Sequence, residues 1–168
     1  YGPERLEVLG ELVGRPDHAA ATIDRYDAAM SAAQAAVDDD CVLSLATIYG
    51  GPSVAAFVAG PWEIPSTMLE VGCELDPDAD DATPDQNGRA WLSLEQLGML
   101  DSDLLVLMQT ESVDGESSSV AEIEANPIWQ TLPAVRNDNV VVIDRLGYPG
   151  TIGQIHLLGE LVDVLASS

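Results

Sequence analysis

Apolar runs and amphipathic stretches alternate along this chain, and the alternation predicts strands and helices in turn. Runs rich in apolar residues predict four strands: Cys41 to Ile48, Val54 to Ala59, Leu104 to Met108 and Val140 to Ile143. The last run is β-branched throughout with no alternation, which predicts burial on both faces, as in a parallel sheet. With helices predicted between the strands, the pattern indicates an α/β domain of three layers around a mostly parallel sheet.

The three-to-four-residue spacing of apolar positions predicts the helices and their buried faces. Pro3 to Val13 should form a first helix that buries Leu6, Leu9 and Val13 and ends at Gly14. A longer helix should begin at Pro16 and end near Val37, with this apolar face: Ile23, Tyr26, Met30, Ala33 and Val37. The last helix, over residues 151–166, should bury this set: Ile152, Ile155, Leu158, Val162 and Leu165.

Polar segments supply the predicted connections. Residues 75–90 are expected to be an acidic loop. Ser93 with Gln96 predicts a capping box for a short helix that ends near Leu100. Ser119 with Glu122 predicts the start of another helix.

The charge balance argues against nucleic acid as a partner, and the lengths of the apolar runs argue against a membrane span. The chain of 168 residues has a formal net charge of -23, with 29 acidic residues against six arginines and no lysine. Phosphate backbones are bound by Lys and Arg, so a nucleic-acid partner is not expected. The sequence contains no run of about 18 apolar residues, so we expect no membrane-spanning helix.

Candidate catalytic and metal-binding residues are few. His18 and His156 lie on predicted helices and belong to no nucleophile motif, and no Gly-rich phosphate loop is present, so we do not expect an enzyme or a cofactor. The aspartates of the acidic loop imitate the start of a calcium-binding EF-hand. However, Asp81 and Asn87 stand where that loop requires Gly and Glu, so a solvated loop is the interpretation and no metal is expected.

Two segments carry a family resemblance. Residues 126–144 predict a helical turn, a stop at Pro133, a polar turn at 137–139 and a strand. They resemble the N-P-x-W-x-x-L-x-A-V-(basic)-N…V…V-D segment of the substrate-binding proteins of iron-siderophore and cobalamin ABC importers. Residues 91–108 are similar to that family's (W)-x-S-x-E-x-L…D-x-D segment with its following strand. Within the first motif we interpret Trp129 as a packing residue.

The resemblance covers roughly residues 10–166 and implies an architecture. Residues 1–37 would be N-terminal helices that include the helix linking two lobes, and residues 38–168 the Rossmann-like C-terminal α/β lobe. The family's N-terminal lobe has no counterpart here. The resemblance implies an extracytoplasmic protein, in the periplasm or as a cell-surface lipoprotein. Because no signal peptide or lipid-attachment cysteine heads the sequence, we expect a fragment or a processed product.

The resemblance also implies a ligand and a binding cleft. The family holds a ferric siderophore or a related iron chelate between its lobes and delivers it to the permease of an ABC importer. Ligands of open parallel sheets lie beyond the carboxyl ends of the strands. Aromatic faces and arginines suit a large, often anionic chelate. The candidates from strand ends and nearby loops are Tyr49, Trp62, Arg89, Trp91, Gln109, Arg145 and Tyr148.

Exposed carboxylates of this family meet arginines of the permease, which makes Glu70, Glu74 and Glu95 candidates here. Two alternatives remain open at this point. The ligand could be cobalamin or heme, or the chain could be a single-lobe interaction or sensor domain with no role in transport. An enzyme on the same kind of sheet ranks last, because no catalytic motif supports it.

The two cysteines lie at one predicted edge of the sheet. Cys41 begins the first strand, and Cys73 follows the helix that returns from the far end of that strand. In the oxidising compartment that the resemblance implies, we predict that they form a disulfide. Two buried free thiols are the alternative.

Overall fold

The computed structural model describes residues 3–49, 53–58, 63–78, 80–109, 116–144 and 150–167. In these ranges it has six α-helices: α1 (Pro3–Leu12), α2 (Pro16–Ala36), α3 (Glu63–Val71), α4 (Glu116–Glu124), α5 (Pro133–Arg136) and α6 (Gly150–Ser167). Two 3-10 helices, Leu94–Met99 and Trp129–Thr131, complete the helical part. No helix within these ranges combines the length and the apolar character needed to cross a bilayer.

Six strands form one sheet in the described residues: β1 (Val42–Tyr49), β2 (Ser53–Phe57), β3 (Glu74–Leu75), β4 (Arg89–Leu92), β5 (Leu104–Gln109) and β6 (Val140–Asp144). The strand order is β4-β2-β1-β5-β6, and β3 pairs with the start of β1. β1 is parallel to β3 and β5, and β5 is parallel to β6, whereas β2 is antiparallel to both β1 and β4. The mostly parallel sheet and the mixed α/β class are as predicted.

Each face of the sheet carries its own hydrophobic core. Helices α2, α3 and α6 cover one face, which we call the first face, where Leu45 and Val106 are buried. Helices α4 and α5 and both 3-10 helices cover the second face, where Ile48 and Leu107 are buried. Trp129 is only 4% exposed within the second core, so its interpretation as a packing residue is confirmed.

Three predicted apolar faces differ from the structure. Leu9 of α1 and Val13, which follows the end of this helix, are exposed, because only one side of α1 packs on α2. In α6, the predicted Ile152 is exposed. The other predicted positions face the first core: Leu158 is buried, and Ile155, Val162 and Leu165 are partly buried against it. In β6, Val142 is 46% exposed, because this strand ends the described sheet and its second face is only partly covered.

The predicted connections are partly correct. Gln96 Oε1 accepts a hydrogen bond from the backbone N–H of Ser93 at 3.1 Å, so this capping pair is confirmed. Helix α4 begins at Glu116, before the predicted start at Ser119. Pro133 begins helix α5, where a proline at the first position leaves no hydrogen bond unmade, instead of only ending the preceding turn.

The segment 75–90 is not wholly a loop. It begins with the end of β3 and closes with the start of β4. Asp138 in the polar turn has a φ of 62°, the left-handed geometry that Asp tolerates. The turn at 137–139 was predicted, whereas the two strand ends within 75–90 were not.

Candidate functional site

Tyr49, Arg89 and Trp91 form one cluster on the first face of the sheet. The ring centroids of Tyr49 and Trp91 are 5.3 Å apart, and the guanidinium carbon of Arg89 lies 5.9 Å and 5.2 Å from the same two rings. These distances are within the range of cation–π attraction. Arg89 Nη1 also donates a hydrogen bond to Tyr49 Oη at 2.9 Å. Tyr49 and the β4 pair Arg89 and Trp91, about 40 residues later, therefore form one surface.

The sheet register brings these side chains together. Ala55 of β2 pairs with Thr47 of β1 on one side and with Trp91 of β4 on the other. Because alternate residues of a strand share a face, Tyr49, Ala55, Arg89 and Trp91 all belong to the first face. Ser53 of β2 pairs with Tyr49, so two small residues of β2, Ser53 and Ala55, lie beside the two aromatic residues. The cluster therefore depends on the antiparallel strand β2, which carries β4 to the flank of β1.

Asp85 completes the cluster as its anion. Its Oδ2 accepts hydrogen bonds from Arg89 Nη2 at 3.0 Å, Arg89 Nε at 3.3 Å and Trp91 Nε1 at 3.2 Å. Its Oδ1 accepts from the backbone N–H groups of Asn87 at 2.7 Å and of Arg89 at 3.1 Å. The side chains of Arg89 and Asp85 are 20% and 26% exposed, and Trp91 is 51% exposed. The indole face is the part of the cluster that is most open to a ligand.

These donors set the pKa of Asp85. Burial raises the pKa, but the backbone hydrogen bonds from Asn87 and Arg89, with those from the Arg89 and Trp91 side chains, outweigh it and lower the pKa to about 2. Burial likewise lowers the pKa of Arg89, and its hydrogen bonds to Asp85 and Tyr49 reverse this and raise it. Both groups are therefore charged across the whole neutral range.

Arg89 and Trp91 were predicted to lie in rim loops, and this placement is wrong because both belong to strand β4. Asp85 was treated as one residue of a solvated acidic run, so its role as their partner was missed. A signal was present in the sequence: Asn87-Gly88 is a tight-turn dipeptide, and Gly88 adopts a φ of 71°. That turn places Asp85 beside Arg89, four residues later.

The other ligand candidates are not part of the cluster. Gln109 ends β5, and strand alternation puts it on the second face, where its buried Oε1 has no hydrogen-bond partner among the residues that the structure describes. Trp62, Arg145 and Tyr148 lie outside the described residues.

The three candidate permease contacts are exposed and lie on three different elements. Glu70 Oε2 accepts a hydrogen bond from Tyr26 at 3.0 Å, and the backbone carbonyl of Glu70 accepts one from Gln34 at 2.9 Å, so Glu70 also ties α3 to α2. Glu74 lies in β3. Glu95 lies in a 3-10 helix that covers the second face.

The opposite end of the sheet contains a cavity of about 650 Å³ lined by carboxylates. It lies where β1 and β5 begin, and its acidic residues are Asp38, Asp40, Asp76, Asp101 and Asp103. Burial raises the pKa of Asp76, and the negative charges of Asp81, Asp101 and Asp78 raise it further. Within the described ranges, no group of three or more His, Cys, Asp or Glu residues is arranged to hold a metal ion.

A disulfide joins Cys41 to Cys73 beside this cavity, with Cα atoms 4.6 Å apart. Cys41 precedes β1 and lines the cavity, whereas Cys73 precedes β3 and is buried. The backbone N–H of Glu74 donates to the Cys41 carbonyl at 2.9 Å, so the bridge reinforces a strand pairing that is already present. Both cysteines therefore lie at the edge of the sheet where β1 and β3 begin, as the sequence predicted.

Comparison with solved structures finds the same fold in siderophore-binding proteins. SirA of Staphylococcus aureus superposes with a TM-score of 0.73 at 15% identity over 99% of this chain and 65% of SirA. FeuA of Bacillus subtilis, a triscatecholate siderophore binding protein solved with ferri-bacillibactin, superposes with a TM-score of 0.71 at 19% identity. That match covers 95% of this chain and 57% of FeuA. The chain therefore spans less than two thirds of the length of either protein.

Sequence comparison agrees with the fold. YhfQ of Bacillus subtilis, whose name describes an ABC transporter substrate-binding lipoprotein, is 37% identical over 54 residues, which are 32% of this chain and 17% of YhfQ. The family model for periplasmic binding proteins matches residues 3–145, most of the chain. On that match, with the sheet and helices described above, the chain belongs to the periplasmic binding protein family.

Proposed function

We propose that this chain is the C-terminal lobe of an extracytoplasmic binding protein that takes up a ferric siderophore and delivers it to an ABC importer. The observation that carries the proposal is the cluster of Tyr49, Arg89 and Trp91 on a fold of this family, with the Trp91 indole half exposed. SirA and FeuA support the choice of ligand, because SirA has been solved with staphyloferrin B and FeuA with ferri-bacillibactin.

The chemistry of the cluster suits such a ligand. An exposed indole offers a flat apolar surface to the organic arms of a chelate, and a guanidinium that is held in place can donate to the oxygens around the metal. Trp62, Gln109, Arg145 and Tyr148 are proposed as further contacts along the rim. The role is binding and release, which require no catalytic group.

In this proposal the chain supplies one wall of a cleft. Tight small-molecule sites bury most of the surface of the ligand, which a single wall cannot do. The second wall would belong to an N-terminal lobe outside this sequence, connected through the helices of residues 1–37. Glu70, Glu74 and Glu95 would meet arginines of the permease. We therefore expect the 168-residue chain to fold cooperatively and to bind chelates only weakly.

Nuclear magnetic resonance of the tryptophan indole N–H groups tests this wall directly. Gallium(III) siderophores keep the charge of the ferric complexes without their paramagnetism, and they should shift the Trp91 resonance progressively as they are added. Isothermal titration calorimetry of the Trp91→Leu variant, which lacks that indole resonance, should show binding weakened by about threefold to tenfold, the scale of one aromatic contact. Ile152→Ala, which removes an exposed apolar side chain from α6, is the matched control and should bind as the wild type does. A Trp91 resonance that no siderophore moves would overturn the proposal.

A further inference from the structure

The cation of the proposed ligand wall is already paired with an anion. Arg89 is the only cation that the described residues bring to the cluster, and Asp85 lies 3.0 Å from it as an ion pair. A ligand at the wall is further from the pair than the two charges are from each other, so their electrostatic potentials largely cancel there. The wall thus presents aromatic faces and hydrogen-bond donors, but it has no net positive charge to attract an anionic chelate.

Asp85 cannot easily leave Arg89 to make room for a ligand anion. Its two oxygens accept the five hydrogen bonds described above, and two of them come from backbone N–H groups of its own turn. A carboxylate or catecholate that replaced Asp85 at Arg89 would leave those backbone groups without their acceptor, which is costly. The neutralising charge is therefore a fixed part of the site.

Arg89 keeps some donors for a ligand. A guanidinium has five N–H groups, and Nε and Nη2 reach Asp85 while Nη1 reaches Tyr49. The remaining N–H groups can donate to neutral carbonyl or hydroxamate oxygens. Hydrogen bonding to oxygen is retained, whereas long-range attraction for negative charge is not.

We infer, on the basis of the proposed function, that Asp85 makes this wall select ferric chelates of zero or positive net charge over tris-catecholate chelates. Three hydroxamates carry three negative charges and cancel those of the ferric ion, whereas three catecholates carry six and leave the complex with three negative charges. The net charge of -23 on the chain adds to the repulsion of the second class. The selected class is therefore trihydroxamate-like, neutral or cationic.

The wild-type chain tests this selectivity without any substitution. The Trp91 indole N–H resonance is titrated at low ionic strength with a neutral gallium trihydroxamate, with one that carries an extra ammonium group, and with a gallium tris-catecholate. The tris-catecholate should need a higher concentration for half-maximal shift than either trihydroxamate, because the net charge of -23 repels it and the paired Arg89 does not attract it. Added salt should reduce this difference, because mobile ions screen it.

Asp85→Asn leaves the positive charge of Arg89 without its anion. The variant should lower the tris-catecholate concentration for half-maximal shift by about tenfold, from one positive charge about 8 Å from three negative charges in water. Asp80→Asn is the matched control: it removes one charge from the same acidic segment, where Asp80 is exposed and its backbone N–H donates to Asp78 Oδ1. We expect this control to keep most of the wild-type selectivity. Circular dichroism of both variants verifies that the fold is retained, and the wild-type titration stands by itself if Asp85→Asn does not fold.

The outcomes separate the two proposals. If the tris-catecholate binds better than the trihydroxamates, the selectivity inference fails and the siderophore-binding function stands. If Asp85→Asn folds and leaves the ratio unchanged, Asp85 is not the selecting group. If no chelate moves the Trp91 resonance, the proposed function itself fails and the inference fails with it.

Discussion

Asp85 and Asp76 come from the same acidic segment, yet their pKa values shift in opposite directions. The pKa of Asp85 falls to about 2 because two backbone N–H groups, a guanidinium and an indole N–H point at its carboxylate. The pKa of Asp76 rises because burial and three neighbouring aspartates oppose its charge. The comparison shows that the excess of acidic residues does not act uniformly: it is neutralised and fixed at the proposed ligand wall, and left uncompensated at the opposite end of the sheet.

Removal of the disulfide should have the largest effect, and it should affect the Asp76 end alone. In the chain-entropy model, Cys41→Ser with Cys73→Ser lowers the free energy of unfolding by about 3–4 kcal/mol for a sequence separation of 32 residues. Urea denaturation measures the loss, and the Trp91 indole resonance should keep its wild-type position because that cluster lies elsewhere. Two thiols that react with an alkylating reagent in the native, unreduced protein would contradict the bridge.

Arg89→Gln should reduce the difference between the pKa values of Asp85 and Asp76 by acting on Asp85. The variant removes two of the hydrogen bonds to Asp85, so the pKa of Asp85 should rise from about 2 toward its ordinary 3.8. We expect Tm at neutral pH to fall by about 2–4 °C. Carbon-13 resonances of the Asp85 carboxyl group follow its titration, and Arg136→Gln, an exposed arginine on α5, is the control.

The pH dependence of that loss has a defined sign. A depressed folded pKa stabilises the protein above the unfolded value, 3.8, and this contribution disappears as the pH falls through about 2. The difference in Tm between wild type and Arg89→Gln should therefore be largest above pH 3.8 and shrink below it. A difference that stayed constant down to pH 2 would indicate that Arg89 stabilises the fold without acting on Asp85.

Asp76→Asn should have the smallest effect and the opposite sign. A raised folded pKa gives stability that is present below 3.8 and is lost as the pH rises, so the charged form of Asp76 is unfavourable at pH 7. The neutral amide should raise Tm there by about 1–2 °C, since solvent screens part of the repulsion. Asp103→Asn is the control, because Asp103 lines the same cavity but is not among the residues that raise the pKa of Asp76. A lower Tm for Asp76→Asn would refute the unfavourable charge.

Sequence patterns predicted the central strands of the sheet but not the edge strand β4. The strands β1, β5 and β6 follow from long β-branched and leucine-rich runs, and α2 follows from its helical spacing. Strand β4 has only four residues, Arg-Ala-Trp-Leu, and follows a run of turn and acidic residues, so no periodicity identified it.

The candidate site was predicted in part for the same reason. Tyr49, Arg89 and Trp91 were chosen for their chemistry, but their contact depends on β2 running antiparallel, with the small residues Ser53 and Ala55 beside them. Pairing of this kind is a property of the folded sheet, and it cannot be inferred from the types of the individual residues. Asp85 shows the same limit, because its partners are fixed by a turn whose signal, Asn87-Gly88, is only two residues long.

The bridge between Cys41 and Cys73 encloses β1, β2 and α3 in a covalent ring. A protease cut at any peptide bond inside that ring would leave one molecule of unchanged mass apart from added water, and only a reducing gel would reveal two pieces. A pulling force on the two ends of the chain would meet the same constraint. The 32 residues within the ring cannot extend, so the fully stretched protein would be roughly 110 Å shorter than the reduced chain.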